Sequence, residues 1–296
     1  MSNVIIAGGR GQLGRTLAQL FLQQGWQVWA PSRAEWDITE ELRMADCGCK
    51  IDELKAGDIL INCAAMTNVD GCEAKPELAY KINAEAAGRL ASLCGNRQWL
   101  MIQISTDYVF SGSHHRPYTE NDEPKPKSVY GKSKWKGEQL VQAAGANYYI
   151  LRTAGLYGHG GAAGKGGHTM VDFILGKARA GETLKLVFDQ YSSPTYARHL
   201  AEAIFALLQK RPDQGVYHAA NRAGCSWLEF GQEVLRVARL PANVEPVPAD
   251  FFGKRPAPRP QYSVLATDKL AGVGIAMPNW KKGIADYLAK TGPGNY

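Results

Sequence analysis

Several features are scarce in this sequence, and each shortage removes a class of function. No apolar run approaches the roughly 20 residues needed to span a bilayer, so no membrane-embedded protein is expected. The first residues run straight into an apolar strand pattern, without a basic stretch followed by a cleavable apolar segment. The cytoplasm is therefore the expected location. Cysteine is sparse, six among 296 residues. Only Cys47 and Cys49 lie close together, and no second pair or histidine cluster completes a zinc site. Cys63 and Cys94 sit in apolar stretches and read as small core residues. Charge of one sign is also short. The 34 Lys and Arg exceed the 28 Asp and Glu by only +6, and they are scattered. The densest basic stretch, Lys125 to Lys136, is interleaved with Pro, Ser, Tyr and Gly. That pattern suits a solvated surface with an anionic small-molecule site and argues against a nucleic-acid partner.

What is present is the balance of a globular protein, 45% hydrophobic and 21% charged, with a length that allows two domains or one large one. The first half alternates short apolar runs (4–7, 28–30, 59–62, 100–104, 149–151) with amphipathic stretches (12–24, about 77–93, 130–143). Strands separated by helices need crossover connections, which predicts an α/β fold with a doubly wound parallel sheet of Rossmann type. The second half is less regular. Helices are expected at 169–180, 197–208, 227–238 and from about Trp280, and strands at 184–188 and 216–219. Residues 158–167 form a glycine-rich loop, and 241–260 is a proline-rich stretch ordered only by packing. The expected division is a dinucleotide-binding domain over 1–152 and a smaller α/β substrate part over 153–296, with about 184–220 returning to the first.

Gly8-Gly9-Arg10-Gly11-Gln12-Leu13-Gly14 fits G-x-x-G-x-x-G. With 32 glycines the pattern alone is weak, and it recurs at Gly155, Gly158 and Gly161. Only the first match follows an apolar strand and opens an amphipathic helix, where Gly8, Gly11 and Gly14 would let the backbone approach a pyrophosphate. At the end of the second strand an acid would bind the adenine ribose hydroxyl, whereas a basic residue tolerates a 2′-phosphate. Here Pro31-Ser32-Arg33 precedes any acid. Arg33 thus favours NADPH, with NADH as the alternative if Arg33 is only a solvent-facing loop residue.

Tyr130 and Lys134 are spaced i and i+4 at the start of an expected helix, on one face and within reach of one ligand. A free phenol titrates near ~10, and a neighbouring ammonium would lower that value. With 13 tyrosines, roughly one such pair arises by chance in a chain this long. The context strengthens it. Ser105-Thr106-Asp107-Tyr108-Val109-Phe110 follows directly on the fourth strand, and ligands of doubly wound sheets bind beyond the strands' carboxyl ends. Thr106 could polarise a carbonyl there, or Thr106 and Asp107 could simply cap the next turn.

Taken together, Gly8 to Gly14, Asn62-Cys63-Ala64-Ala65, Ser105 to Phe110 and Tyr130-Gly131-Lys132-Ser133-Lys134 resemble the extended short-chain dehydrogenase/reductases. Asp37-Ile38-Thr39, Thr67-Asn68-Val69-Asp70, Asp189-Gln190-Tyr191, Ser193-Pro194-Thr195 and Arg259-Pro260 with Ser263-Val264-Leu265 narrow the resemblance. Over almost its whole length the chain is similar to the dTDP-4-dehydrorhamnose reductases. The resemblance implies hydride transfer from NADPH to C4 of dTDP-4-dehydro-L-rhamnose, a nucleotide-diphosphate sugar. Tyr130 would be the proton donor, Lys134 would tune it and hold the nicotinamide ribose, and Thr106 would polarise the ketone. It also places Gly11, Gln12 and Leu13 at the pyrophosphate, Asp37 and Ile38 at the adenine, and Ala64, Ala65 and Met66 along the cofactor's middle. Val69, Thr106, Asp107 and Arg259 would lie at the sugar nucleotide.

Two departures stand out. The family often carries tryptophan three residues after the arginine of its R-T motif, and this chain has Gly155 after Arg152-Thr153. Some members bind magnesium at a dimer interface through acids where this chain has Thr16 and Arg198, so no metal is expected and a homodimer would need another route. His114 and His115 read as exposed turn residues, and His199 and His218 as packing at element ends. The alternative functions are a nucleotide-sugar epimerase, a reductase of another nucleotide 4-keto sugar, or a non-catalytic NADP-binding regulatory subunit.

Overall fold

A computed structural model of the chain describes residues 3–40, 55–160 and 169–291. Cys47, Cys49 and most of the glycine-rich stretch 158–167 lie outside them. The first half holds strands β1 (Asn3–Ala7), β2 (Gln27–Trp29), β3 (Ile59–Asn62), β4 (Leu100–Thr106) and β5 (Asn147–Thr153), together with five described helices. These are α1 (Gln12–Gln23), the short α2 (Val69–Ala74) and α3 (Pro76–Tyr80), α4 (Ala86–Arg97) and α5 (Val129–Ala143). The second half adds α6 (Met170–Arg179), β6 (Leu184–Val187), β7 (Tyr191–Ser192), α7 (Ala197–Lys210), β8 (Gly215–His218), β9 (Cys225–Ser226) and α8 (Trp227–Ala238). It ends with β10 (Val244–Val247), α9 (Asp268–Gly272) and α10 (Trp280–Thr291).

Among the described residues β2-β1-β3-β4-β5-β8 form one parallel sheet. Strand order reverses at β1, the point where doubly wound sheets open a crevice beyond their carboxyl ends. The near-continuous apolar strands follow from burial on both faces. Val4, Ile6, Ile59, Ile61 and Ile102 pack under α1 and α7, while Ile5, Leu60, Met101 and Ile150 pack under α4 and α5. The alternation is the period-2 pleat of a strand.

The segment expected at 184–220 to return to the first domain is divided. Helix α7 packs on α1 and β8 joins the main sheet, whereas β6 pairs in parallel with β10 in a separate two-stranded sheet. That pairing also corrects the expectation for 241–260. The stretch contains a strand through Pro246, tolerated because each strand of a two-stranded ribbon is an edge. Helices α6, α8 and α10 close over β6 around Ile174, Leu186, Phe230 and Ile284.

The helix expected at 77–93 is interrupted by a π turn over Lys81–Glu85. Its cause is Asn83, which is 1% exposed. The Asn83 side chain accepts from Met66 N at 2.8 Å and donates to Ser133 Oγ at 3.0 Å. A wider turn lets a polar residue on an apolar helix face reach two neighbouring elements. Such turns collect at functional sites.

Candidate active site

The turn between β1 and α1 is built on glycines for three separate reasons. Gly8 has φ +77° and lies against Ala64 after β3. A Cβ on Gly9 would sit 2.5 Å from the backbone of Ala30, and one on Gly14 would sit 2.4 Å from the Gly8 carbonyl oxygen. Gly11 caps α1 without a side-chain hydrogen bond, and the first helical turn carries no acid. The first N–H groups of α1 therefore face outward with the positive end of the helix dipole, a site for an anion. Gln12 begins the helix, and its buried Nε2 has no partner among the described residues. A backbone cradle that any side chain would fill, beside a donor awaiting an acceptor, fits a dinucleotide pyrophosphate.

The same crevice continues along the strand ends. Arg33 and Asp37 pair at 2.9 Å, and the other Asp37 oxygen accepts from Thr39. Ile38 is buried beside them. The hydrogen bonds at Asp37 outweigh its partial burial and hold its carboxyl below the usual range. Ala64 N donates to Asn62 Oδ1 at 3.1 Å, Ala65 follows it half-buried, and Met66 is fixed by Asn83. Asn83 is the residue sequence reading missed. The only trace it left was an amide among the apolar positions Ala79, Ile82 and Ala86. Cys63, at the open strand end, is partly buried and packs against the core under α1. Its thiol is still pushed up to about 12 by burial, against the pull of Lys134.

Tyr130 and Lys134 stand on the first turns of α5, which Ser128 caps by accepting from Gly131 N at 3.1 Å. Gly131 is small because a Cβ would meet the Tyr108 carbonyl oxygen at 2.2 Å. That contact seats the helix on the turn after β4. Tyr130 is half-buried and faces the Thr106 hydroxyl, with the edge of Tyr108 5.5 Å away. Burial raises its phenol above the ordinary value, and the Thr106 hydrogen bond opposes this. Lys134 is 4% exposed, and its Nζ donates to the Ile104 carbonyl at 2.6 Å. Burial brings it down to about 8, with the Glu138 carboxylate pulling the other way. A buried amine and a half-buried phenol one helical turn apart are the groups from which a proton-handling pair can be built.

The structure shows Thr106 as a capping residue that also lies at the strand end beside Tyr130. Its hydroxyl accepts from Tyr108 N at 3.2 Å, capping the turn over Asp107–Val109, and it also faces Tyr130. Thr106 Oγ1 donates to Asp107 Oδ1 at 3.0 Å. Asp107 is 3% exposed, and its other oxygen accepts from Ser263 and Ser192. Burial pushes its carboxyl up to about 6 despite these donors. Its contacts tie it to the protein rather than opening it to a ligand. Arg259 forms a two-pronged pair with Asp70, 2.7 Å at each nitrogen, beside Val69 at the start of α2.

Residues 1–292 match the family described as the RmlD substrate binding domain. The chain belongs to that family. Among its relatives are the spore coat polysaccharide biosynthesis protein SpsK of Bacillus subtilis, 35% identical over 97% of both chains, and the dTDP-4-dehydrorhamnose reductase of Mycobacterium tuberculosis H37Rv, 36% identical over 97% of this chain and 92% of that one. The crystal structure of dTDP-4-dehydrorhamnose reductase from Bacillus anthracis in complex with NADP superposes with a TM-score of 0.89 at 34% identity, covering 98% of this chain and all of that one.

Against the family pattern, Gly155 is more than a truncated tryptophan. Its φ is +52°, and a Cβ would lie 3.1 Å from Pro194 Cα. The backbone here takes a left-handed path that disfavours a bulky side chain. Thr16 bonds its own helix at Gln12, and Arg198 pairs with Glu202. His199 and His218 are buried, as packing residues would be, and His114 stacks on Tyr118. Among the described residues no helix is long and apolar enough to cross a membrane.

Proposed function

We propose that this chain reduces dTDP-4-dehydro-L-rhamnose to dTDP-L-rhamnose with NADPH, with Tyr130 as proton donor. The observation that carries the reading is the convergence of Thr106, Tyr130 and Lys134 at the end of β4, one crevice along from the glycine cradle. Bound NADPH supplies the hydride. Gly8, Gly11, Gln12, Leu13 and Gly14 hold its pyrophosphate at the start of α1. Arg33, Asp37 and Ile38 line the adenosine end, and Ala64, Ala65 and Met66 support the middle. Thr106 orders the ketone oxygen, and the Tyr130 phenol gives that oxygen a proton as negative charge develops on it. The Lys134 ammonium stabilises the phenolate left behind, which a half-buried tyrosine could not otherwise tolerate. Val69 and Arg259 border the sugar nucleotide, and Asp107 acts through Thr106. Residues 1–152, with α7 and β8, form the dinucleotide domain, and most of 153–296 forms the substrate part.

The test is NADPH oxidation with dTDP-4-dehydro-L-rhamnose beside other nucleotide 4-keto sugars, with product analysis. Stoichiometric oxidation with dTDP-L-rhamnose formed supports the reading. An isomerised sugar with NADPH unconsumed would mark an epimerase, and tight NADPH binding without turnover a regulatory subunit.

A further inference from the structure

Three consecutive residues at the end of β4 meet three residues of one stripe on α5. Thr106 faces Tyr130, the Ile104 carbonyl accepts from Lys134, and the Ser105 hydroxyl donates to Glu138. Tyr130, Lys134 and Glu138 follow at i, i+4 and i+8, so they share one helix face. The first two are the proton-handling pair; the third belongs to no family motif quoted above. Glu138 has no accessible surface. Its carboxylate accepts from Arg152 Nε at 3.1 and 3.2 Å and from Arg152 Nη2 at 2.7 Å. Arg152 lies on β5 opposite Ser105, is 2% exposed, and rests over the Phe110 ring at 5.1 Å. Its Nη1 is buried without a hydrogen-bond partner among the described residues.

A buried ion pair is a poor way to hold a helix on a sheet. An apolar pair of similar volume often does as well or better, because two charges need not be desolvated. An apolar pair could not supply a fixed negative charge one turn from Lys134. Without it, burial would drive Lys134 towards the neutral amine, which has no charge to offer a phenolate. The groups that act on Lys134 are Glu138 on its own helix, Cys63 just after β3 and the Ile104 carbonyl on β4. With the Cys63 thiol protonated, Glu138 is the anion among them.

We propose that Glu138 is a positioning residue for the reaction: clamped by Arg152 and Ser105, its carboxylate keeps Lys134 cationic and held at the end of β4. Arg152 moderates the pull by partly neutralising Glu138 and fixes where the negative charge sits. The inference rests on the reading of Lys134 as the partner of Tyr130.

The experiment follows the titration of Lys134 itself, through the ¹³Cε resonance of lysine-labelled protein with Lys134→Arg for assignment. It compares the wild type with Glu138→Gln and with Glu138→Gln/Arg152→Gln. The single variant should move the Lys134 titration to lower pH by roughly one unit or more, because the anion is gone and a cation is left exposed to it. The double variant should lie between the single variant and the wild type. The alkaline limb of kcat should move in the same order, which a purely structural loss would not produce. If the single variant does not fold, the charge-balanced double variant carries the test, since its Lys134 must still titrate below the wild type. An unmoved titration, or activity lowered by one factor at all pH values, overturns the proposal. Because the NMR readout uses no substrate, a shifted Lys134 in a protein that reduces no keto sugar would refute the functional reading alone.

Discussion

The hydroxyl of Ser263 donates to the carboxylate of Asp107 at 2.6 Å across 156 residues of chain. It is the tightest link between the C-terminal segment and the strand end that carries Thr106. Ser263→Ala would leave a buried carboxylate short of a donor, at a cost of about 1–3 kcal/mol. Urea denaturation should show the lower midpoint, with the m-value unchanged.

Asp107 also gives stability a pH signature. Burial lifts its folded carboxyl to about 6, above the ~4 of a free aspartate. Between those values the folded state binds more protons than the unfolded one. This group's contribution is therefore full below pH ~4 and is lost as pH rises through ~6. The difference across that window is on the order of 3 kcal/mol. Asp107→Asn should gain on the wild type as pH is raised from 4 to 7; stability curves that stay parallel would contradict the assignment.

If Tyr130 is the proton donor, Tyr130→Phe removes it while leaving the ring packed beside Tyr108. Turnover should fall by ~10²–10⁴. NADPH affinity, read by fluorescence titration, should stay within about twofold, because the glycine cradle is untouched. Near-normal turnover would move the donor elsewhere.

Asp70 holds Arg259 by two hydrogen bonds at 2.7 Å, and the Arg259 hydrogen bond is the largest influence keeping its carboxyl low. If Arg259 borders the sugar nucleotide, Asp70→Asn should raise KM for that substrate by about tenfold, the size of one charge-assisted hydrogen bond. The Kd for NADPH should not change. Equal losses in both would make the pair a general support of the fold.

Gly155→Trp, which introduces the tryptophan that the resemblance leads one to expect, should destabilise this chain. The left-handed φ of +52° costs a bulky side chain roughly 1–3 kcal/mol, and the Cβ crowds Pro194. A midpoint equal to or above the wild type would show that the backbone readily takes another path here.

The dinucleotide half was legible because its signals are local. Alternating apolar runs gave the parallel strands, and a glycine turn between a strand and an amphipathic helix marked the cradle. What escaped depends on distant partners. β7 and β9 are two residues each and form by pairing with one another across the chain. β10 hides among prolines and is a strand only beside β6. Asn83 is set apart from its helix only by its contacts with Met66 and Ser133, 17 and 50 residues away. In the site, Tyr130 and Lys134 were visible as a spacing of four. Arg259 and Asp70 lie 189 residues apart, and the burial that moves Lys134 and Asp107 towards neutrality belongs to the folded state.

The register of β4 with β5 runs on through Ile104–Leu151, Ser105–Arg152 and Thr106–Thr153. Thr106 and the Ile104 carbonyl that receives Lys134 thus lie in the β4–β5 ladder of the main sheet, not on a loop. Amides at 104–106 should exchange with deuterium only when the whole molecule opens. Heating should then extinguish turnover in the same transition that melts the sheet, with no earlier phase in which a folded protein has lost its chemistry.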